Sequence, residues 1–266
     1  MSRISRLNVV ALAALSSLTC IACLTSQSAF AADEEVDAIT PYRPSVSNSA
    51  QLPVAGQVEL EMGINTIKTG PAQRQSLPYL FKLAFSNEWG VLLGGEAHII
   101  NDDGAGQRDR GFGDTSLTIK RAFVINDDTA FGLEFGNKFP TAKDALGSGK
   151  SDWTLNGIVS QDLGKVHADL NLNMTHLGFA EDATSHWQSG LSASFSTEIN
   201  EKMGLTAEWA GWHRSGIKNQ GQALVALTYS PNKRLTFDAG MTRGLTSNSQ
   251  DRSWFAGVVV PVAKLW

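Results

Sequence analysis

The stretch "VELEMGIN", Val58–Asn65, alternates apolar residues with polar or small ones along its whole length. Successive side chains of an extended strand point to opposite faces, so Leu60 and Met62 share one face while Glu59 and Glu61 share the other. This period of two predicts a β-strand that separates an apolar environment from a polar one. Because a carboxylate is costly to place against hydrocarbon, the two glutamates must face water or polar groups.

The same alternation recurs in about twelve segments between Gly56 and Trp266, each close to the length that a tilted membrane strand needs. Connections after the even-numbered segments are short, whereas those after the odd-numbered segments are longer, beginning with "KTGPAQRQ" at Lys68–Gln75. We therefore predict an all-β fold, a transmembrane up-and-down antiparallel β-barrel of about 12 strands with short periplasmic turns and longer extracellular loops. A soluble β-sandwich is the alternative, but it gives no reason for loop lengths to alternate.

Residues 1–31 have the features of a cleaved secretory signal, with two early arginines, an apolar run and the small-residue pattern Ala29–Ala31 at the cleavage site. The alternatives are a membrane anchor or a lipoprotein signal at Cys20 or Cys23. Cleavage after Ala31 removes both cysteines, so we expect no disulfide or thiol chemistry in the mature chain.

The predicted mature chain has two parts. Residues 32–55 hold three of the eight prolines and are predicted to be an irregular periplasmic N-terminal segment, and residues 56–266 form the barrel. A net charge of −4 without any basic run argues against a nucleic-acid partner. No apolar run of about 18 residues follows the signal, which excludes membrane-spanning helices.

Three stretches of this sequence together carry a family resemblance: Thr40–Ile64, Gly111–Phe123 and Phe135–Trp153. They resemble the outer-membrane barrel family labelled as meta-pathway phenol degradation proteins, which are also called transporters. The resemblance implies a porin-like channel in the outer membrane of a Gram-negative bacterium, with aromatic compounds among its candidate solutes. That location implies contact with outer-membrane lipids and lipopolysaccharide and assembly by the barrel assembly machinery.

Strand parity assigns most charged strand residues to the lumen. The inward acids are Glu59, Glu61, Glu96, Asp114, Glu134, Asp169, Glu198, Glu208 and Asp238, and the inward bases are Lys82, Lys120, Lys138 and Arg214. Nine acids against four bases predict an acidic lumen that favours cations or neutral solutes. The equally open alternative is that these charges satisfy one another and brace a narrow barrel.

Parity also turns His98 and Trp212 inward, and Trp212 belongs to an apolar patch that would accept an aromatic ring. If the first loop and the next turn are centred as their composition suggests, Glu61 lies opposite Lys82 and Lys120 opposite Glu134. A twelve-stranded barrel is intermediate between a filled eight-stranded barrel and an open porin. The sequence therefore predicts a narrow channel for passive uptake of small solutes, with a plugged structural barrel as an alternative.

A further alternative is an outer-membrane lipid hydrolase. His213 and Ser215 are predicted to lie at the loop end of a strand with the His-x-Ser spacing of the outer-membrane phospholipase, another twelve-stranded barrel. Asn219 is the nearby candidate for orienting the histidine. The other histidines lack metal-ligand spacing, so no metal site, cofactor or catalytic residue is predicted, and the protein is not expected to be an enzyme.

Overall fold

The computed structural model describes residues 37–143 and 145–266. The predicted signal peptide and residues 32–36 of the predicted N-terminal segment lie outside the described residues. No helix of the described part is long and apolar enough to cross a bilayer. The strands are β1 (Gln57–Thr69), β2 (Ala72–Ala84), β3 (Trp89–Asp102), β4 (Arg108–Gly111), β5 (Thr115–Val124), β6 (Thr129–Phe139), β7 (Asp152–Leu163), β8 (Val166–His176), β9 (Trp187–Asn200), β10 (Met203–Arg214), β11 (Gln220–Asn232), β12 (Leu235–Gly244) and β13 (Arg252–Lys264).

These strands form one closed antiparallel ring. Each strand pairs with its neighbours in sequence, and β1 pairs with both β2 and β13, which closes the ring. The short strand β4 and the longer β5 both pair with β3, so they are two parts of one barrel strand interrupted at residues 112–114. The prediction of a twelve-stranded up-and-down β-barrel is confirmed.

The loop lengths alternate as predicted, with one exception. One end of the barrel carries the short connections, at residues 85–88, 125–128, 164–165, 201–202 and 233–234. The opposite end carries the longer ones, at residues 103–107, 140–151, 177–186, 215–219 and 245–251. We call these the turn end and the loop end of the barrel.

The exception is the first hairpin, where the predicted loop Lys68–Gln75 was wrong. The β1–β2 turn is only residues 70–71, and Lys68 pairs with Gln73 in the strand ladder. Gly70 has a positive φ of 56°, which lets the chain reverse in two residues. The polar residues that suggested a loop belong instead to strands, in which their backbone groups stay hydrogen-bonded.

The outer face of the barrel is apolar and the inner face is polar. Large apolar side chains are exposed along every barrel strand, including Ile64, Leu117, Phe135, Leu172 and Trp209. Most of the buried strand residues are polar, and Lys82, Lys120 and Glu59 are among the largest fully buried side chains. This is the arrangement of a barrel whose outside meets hydrocarbon.

The described part of the N-terminal segment, residues 37–55, is irregular and runs inside the ring of strands. It starts at the turn end, where Ile39 donates to the carbonyl of Lys233. It reaches the middle of the barrel near Val46, crosses the lumen, and returns to the turn end, where Ala55 bridges to Ala84 beside the start of β1. We call residues 37–55 the lumen segment and residues 44–49 its crossing. The sequence did not predict this position.

Candidate functional site in the barrel lumen

The first hairpin places a lysine between two glutamates. The Nζ of Lys82 lies 3.0 Å from Glu59 Oε2 and 2.6 Å from Glu61 Oε1, and Lys82 is fully buried. The ladder pairs Lys82 with Glu59, whereas Glu61 faces Leu80. The predicted pairing of Glu61 opposite Lys82 was therefore wrong by two residues, because the turn centre lies one residue earlier than its composition suggested.

The second predicted pair is confirmed. Lys120 on β5 lies opposite Glu134 on β6, and their charged groups are 3.1 Å apart. Lys120 is also fully buried, and its ammonium donates to the carbonyl of Ser49 in the lumen segment. The Lys82 ammonium likewise donates to the carbonyl of Thr40. Both buried lysines therefore join the barrel wall to the lumen segment.

The glutamates of β1 bind backbone amides of the lumen segment. The N–H of Thr40 donates to both carboxylate oxygens of Glu59 at 3.1 Å. The N–H groups of Tyr42 and Arg43 donate to Glu61 at 2.7 and 3.1 Å. Glu59 and Glu61 thus face polar partners on the inside, and those partners are main-chain groups as well as Lys82.

The crossing is held by side chains of the opposite wall. The N–H of Val46 donates to Glu208 at 2.7 Å, and the Ser47 hydroxyl donates to Ser192 at 2.9 Å. Asn48 has four such bonds. Its N–H donates to Asn171 Oδ1 at 3.0 Å, its Nδ2 donates to Glu134 Oε1 and Oε2 at 3.2 and 2.9 Å, and its carbonyl accepts from Asn171 Nδ2 at 2.9 Å. Beyond the crossing, the N–H of Ala50 donates to Ser160 at 2.7 Å.

Tyr42 lies at the centre of the lumen segment. Its ring centroid is 4.3 Å from Lys82 Nζ and 4.1 Å from Lys120 Nζ, distances at which an ammonium is attracted to a π face. Its hydroxyl donates to the carbonyl of Gln51 at 2.6 Å. This bond joins the two arms of the lumen segment, residues 37–43 before the crossing and residues 50–55 after it. Burial, and then the charges of Glu134, Glu61 and nearby carboxylates, raise the pKa of Tyr42 well above its usual value.

Six carboxylates of the described barrel are buried, and five have a basic partner. Lys82 forms ion pairs with Glu59 and Glu61, Lys120 with Glu134, and Arg43 with Asp238. His167 Nε2 lies 3.2 Å from Asp169. Glu208 has no basic partner within ion-pair distance among the described residues. Its Oε2 accepts from Val46, but its buried Oε1 has no hydrogen-bond partner. Glu208 is therefore the one uncompensated carboxylate of this set.

The predicted lumen residues nearer the loop end form local pairs. Arg74 binds Glu96 at 2.5 Å, and Lys138 lies between Asp114 and Asp152 at 3.2 and 2.7 Å. These groups compensate one another near the loop-end opening. They do not contact the lumen segment.

Two other predicted residues lie in unexpected surroundings. His98 is exposed, and Ile99 is fully buried in the inward position opposite Ser76, because an irregularity of the β2–β3 ladder changes the parity of β3. Arg214 donates to the carbonyl of Ser185 and to the Thr184 hydroxyl, both at 2.7 Å. Arg214 therefore holds the loop-end connection at residues 177–186 by hydrogen bonds.

The hydrolase candidates are partly brought together. His213 Nδ1 lies 2.7 Å from Asn219 Oδ1 at the exposed loop end of β10. No hydrogen bond joins His213 to Ser215 in the part of the chain that the structure describes. Nor does any group of three or more His, Cys, Asp or Glu residues in residues 37–143 and 145–266 have the arrangement of a metal site.

The lumen holds one cavity towards each end of the barrel. The turn-end cavity has a volume of about 330 Å³ and is lined by Tyr42, His167, Asp169 and six hydroxyl side chains, Ser194, Ser196, Thr206, Thr228, Ser230 and Thr236. The loop-end cavity has a volume of about 360 Å³ and is lined by Trp212 together with Gln188, Gln220, Gln222 and Gln250. The two cavities share no lining residue, and residues of the crossing line only the turn-end cavity.

Sequence comparison places the chain in a family. The family model described as "Putative MetA-pathway of phenol degradation" matches residues 42–260. The chain belongs to this family. The match begins at Tyr42, so it includes most of the lumen segment as well as the barrel. No curated protein sequence matches the chain at a significant level.

Solved structures with a similar fold are outer-membrane barrels. An outer membrane channel from Pseudomonas putida F1 matches with a TM-score of 0.61 and 13% identity, covering 87% of this chain and 100% of that one. The NanC porin matches with a TM-score of 0.55 and 10% identity, covering 77% and 100%. The KdgM porin matches with a TM-score of 0.51 and 10% identity, covering 77% and 99%. At these identities the likeness is one of fold.

Sequence reasoning missed Tyr42, Arg43 and Asn48. Their segment has no strand periodicity, so no parity rule assigned their side chains to the lumen. A signal was nevertheless present in the charge balance, because nine inward acids cannot all be satisfied by four inward bases in a narrow barrel. Arg43 and the free N–H groups of an irregular stretch next to β1 supply the missing donors.

Proposed function

We propose that the protein is an outer-membrane channel for passive uptake of small neutral or cationic solutes, and that the lumen segment is its constriction. The observation that carries this proposal is an irregular segment that lies inside the lumen and is held to the wall by non-covalent contacts, with a cavity towards each end of the barrel. The porins and the Pseudomonas channel with this fold support a channel role. The family description supports aromatic compounds as solutes.

The crossing is suited to being displaced. Its residues have short side chains, and its wall partners are hydroxyl, amide and carboxylate groups that water can also satisfy. A net hydrogen bond of this kind contributes only about 0.5–1.5 kcal/mol. The buried apolar cluster that joins the lumen segment to the wall is small and consists of Ala50, Ala130 and Ile158. Displacement therefore exchanges polar contacts for water without exposing a large apolar core.

Charge selectivity is proposed to depend on Glu208. The other buried carboxylates have basic partners, so their fields are largely compensated at a distance. An unpaired carboxylate at mid-lumen raises the local concentration of cations and repels anions. The paired glutamates Glu59 and Glu61 then hold the lumen segment in place, and Glu96 pairs with Arg74.

Planar-bilayer recordings test the channel. The full-length protein is compared with a variant lacking residues 39–50, a deletion that leaves every strand intact. We expect small, cation-selective currents from the full-length protein and larger currents from the deletion variant. Currents only in the deletion variant would mean that the segment is a permanent plug. No current from either protein would favour a structural barrel.

A second candidate function is lipid hydrolysis at the loop end. The observation that favours it is the 2.7 Å contact of His213 with Asn219, which would orient the imidazole towards a nucleophile. Phospholipid hydrolysis by the purified protein and by its Ser215→Ala variant tests this candidate. Equal release of fatty acid from both would rule it out.

We also propose that residues 1–31 are removed on export and that the mature protein lies in the outer membrane, against lipopolysaccharide. Assembly there would require the barrel assembly machinery. Membrane fractionation with N-terminal sequencing of the mature protein tests both points. A start at Ala32 in the outer-membrane fraction is the expected result, and a full-length chain in the inner membrane would contradict it.

A further inference from the structure

The environment of the Tyr42 ring differs from an ordinary hydrophobic core. The ring is almost fully buried, with 4% of the residue exposed, yet two ammonium groups lie at its π system. Around them lie Glu59, Glu61 and Glu134, which neutralise the lysines. The aromatic ring is therefore recognised mainly by cations. We call this place, formed by Lys82, Lys120 and the carbonyl of Gln51, the Tyr42 slot.

The slot is complementary to a phenol. An ammonium over an aromatic face is attracted to the ring, and the attraction is larger where water is excluded. The hydroxyl has one acceptor, the Gln51 carbonyl at 2.6 Å. Tyr42 also lines the turn-end cavity, so a small molecule in that cavity lies next to the slot. A free monocyclic phenol carries the same two features, a π face and one O–H donor.

From this arrangement we propose that the Tyr42 slot is a binding site for a neutral monocyclic phenol, which takes the place of the Tyr42 side chain. This proposal rests on the proposed channel function, because it names a solute that the lumen binds. The surrounding carboxylates repel a phenolate or a benzoate, and burial together with these carboxylates raises the pKa of Tyr42 itself. The neutral form of the phenol is therefore the ligand.

Binding in the slot would also loosen the lumen segment. Tyr42 connects the two arms of the segment through Gln51 and connects both arms to Lys82 and Lys120. A phenol in the slot removes these connections at once. Because Tyr42 is tethered, its effective concentration is about millimolar or higher, so a free phenol competes only in that range.

The first test uses full-length Tyr42→Gly, which empties the slot. Its thermal unfolding in detergent is followed with phenol, cyclohexanol and benzoate, with the wild-type protein as the control for effects of the ligands on the micelle. We expect phenol to raise the Tm of Tyr42→Gly by a few degrees, saturably, relative to wild type, because a ligand that binds only the folded state stabilises it. Cyclohexanol, which has the hydroxyl but no π face, and benzoate should not do so.

If Tyr42→Gly fails to assemble, its refolding yield gives the same information. A higher yield with phenol than with cyclohexanol supports the slot, and equal yields overturn it. In wild-type protein, millimolar phenol should increase the bilayer current while cyclohexanol leaves it unchanged, and a current that phenol does not alter overturns the displacement of Tyr42. The unfolding readout does not depend on conduction, so a protein that binds phenol but passes no current would refute the channel function and leave the slot intact.

Discussion

The guanidinium of Arg43 binds the carboxylate of Asp238 through two hydrogen bonds, from Nε to Oδ2 and from Nη2 to Oδ1, each 2.8 Å long. Arg43 belongs to the lumen segment and Asp238 to β12, and 195 positions separate them in the chain. A bidentate pair of this kind fixes the orientation of both groups as well as their distance. It therefore holds the lumen segment against one particular part of the wall.

Replacing Arg43 by Gln should loosen the lumen segment and increase the bilayer current, because Asp238 loses its basic partner. Hydrogen bonds between charged groups are worth about 1.5–3 kcal/mol, so the change in free energy of folding should fall in that range. The double variant Arg43→Gln/Asp238→Asn should be less destabilised than the sum of the two single variants. Additive effects in urea-dependent folding into lipid vesicles would show that the pair is not coupled.

Lys82→Met should destabilise the barrel strongly, by about 3–5 kcal/mol, because it leaves Glu59 and Glu61 buried without a cation. Lys138→Met is the matched control, since Lys138 also lies between two carboxylates but is partly exposed. Its effect should be about 1 kcal/mol or less. Equal losses of folding free energy in the two variants would contradict the difference in burial as the cause.

Glu208→Gln should shift the reversal potential towards zero in a salt gradient, because the substitution removes the uncompensated charge while keeping the acceptor for Val46. Asp169→Asn is the matched control, because Asp169 is also buried but has His167 as its partner. A larger loss of cation selectivity in the control would assign selectivity to another group.

A disulfide between the crossing and the wall should lock the constriction. The hydroxyl oxygens of Ser47 and Ser192 are 2.9 Å apart, and the two cysteines of the chain both lie in the predicted signal peptide. The double variant Ser47→Cys/Ser192→Cys should pass less current when oxidised, and a reductant should restore it. Each single cysteine variant serves as a control. A current that does not depend on oxidation would mean that the crossing does not move during conduction.

The orientation of the barrel predicts which ends are accessible. Asp182 lies in a loop-end connection and Glu201 in a turn-end connection, and both are exposed. In intact cells, a membrane-impermeant maleimide should label Asp182→Cys but not Glu201→Cys, and opening the outer membrane should expose the second site. The reverse pattern would invert the orientation.

The barrel was predictable because a closed ring repeats one simple rule. Every strand needs an apolar outer face and a polar inner face, so parity assigned Glu134 and Lys120 to the lumen and to each other. Parity failed where the ladder is irregular, as at His98, and the assumed centre of the first loop gave the wrong partner for Lys82, because a two-residue turn stands there. Such local irregularities leave no periodic signal.

The lumen segment was not predictable in the same way. Its proline-containing sequence indicates only that it is neither strand nor helix. Its position depends on groups scattered over the chain, such as Asp238 and Glu208, whose meeting requires the closed barrel. An excess of inward acids indicates that further hydrogen-bond donors are needed. It does not indicate which donors, because every residue except proline has a backbone N–H.

The lumen segment precedes β1 and contributes no residue to the lipid-facing surface. Under the proposed channel function, the constriction and the wall that crosses the membrane are consequently encoded in separate stretches of the gene. Substitutions within residues 37–55 alter groups inside the barrel and none of the strand residues that face lipid or set the register. Permeability can therefore diverge among descendants of one barrel while the barrel wall stays the same.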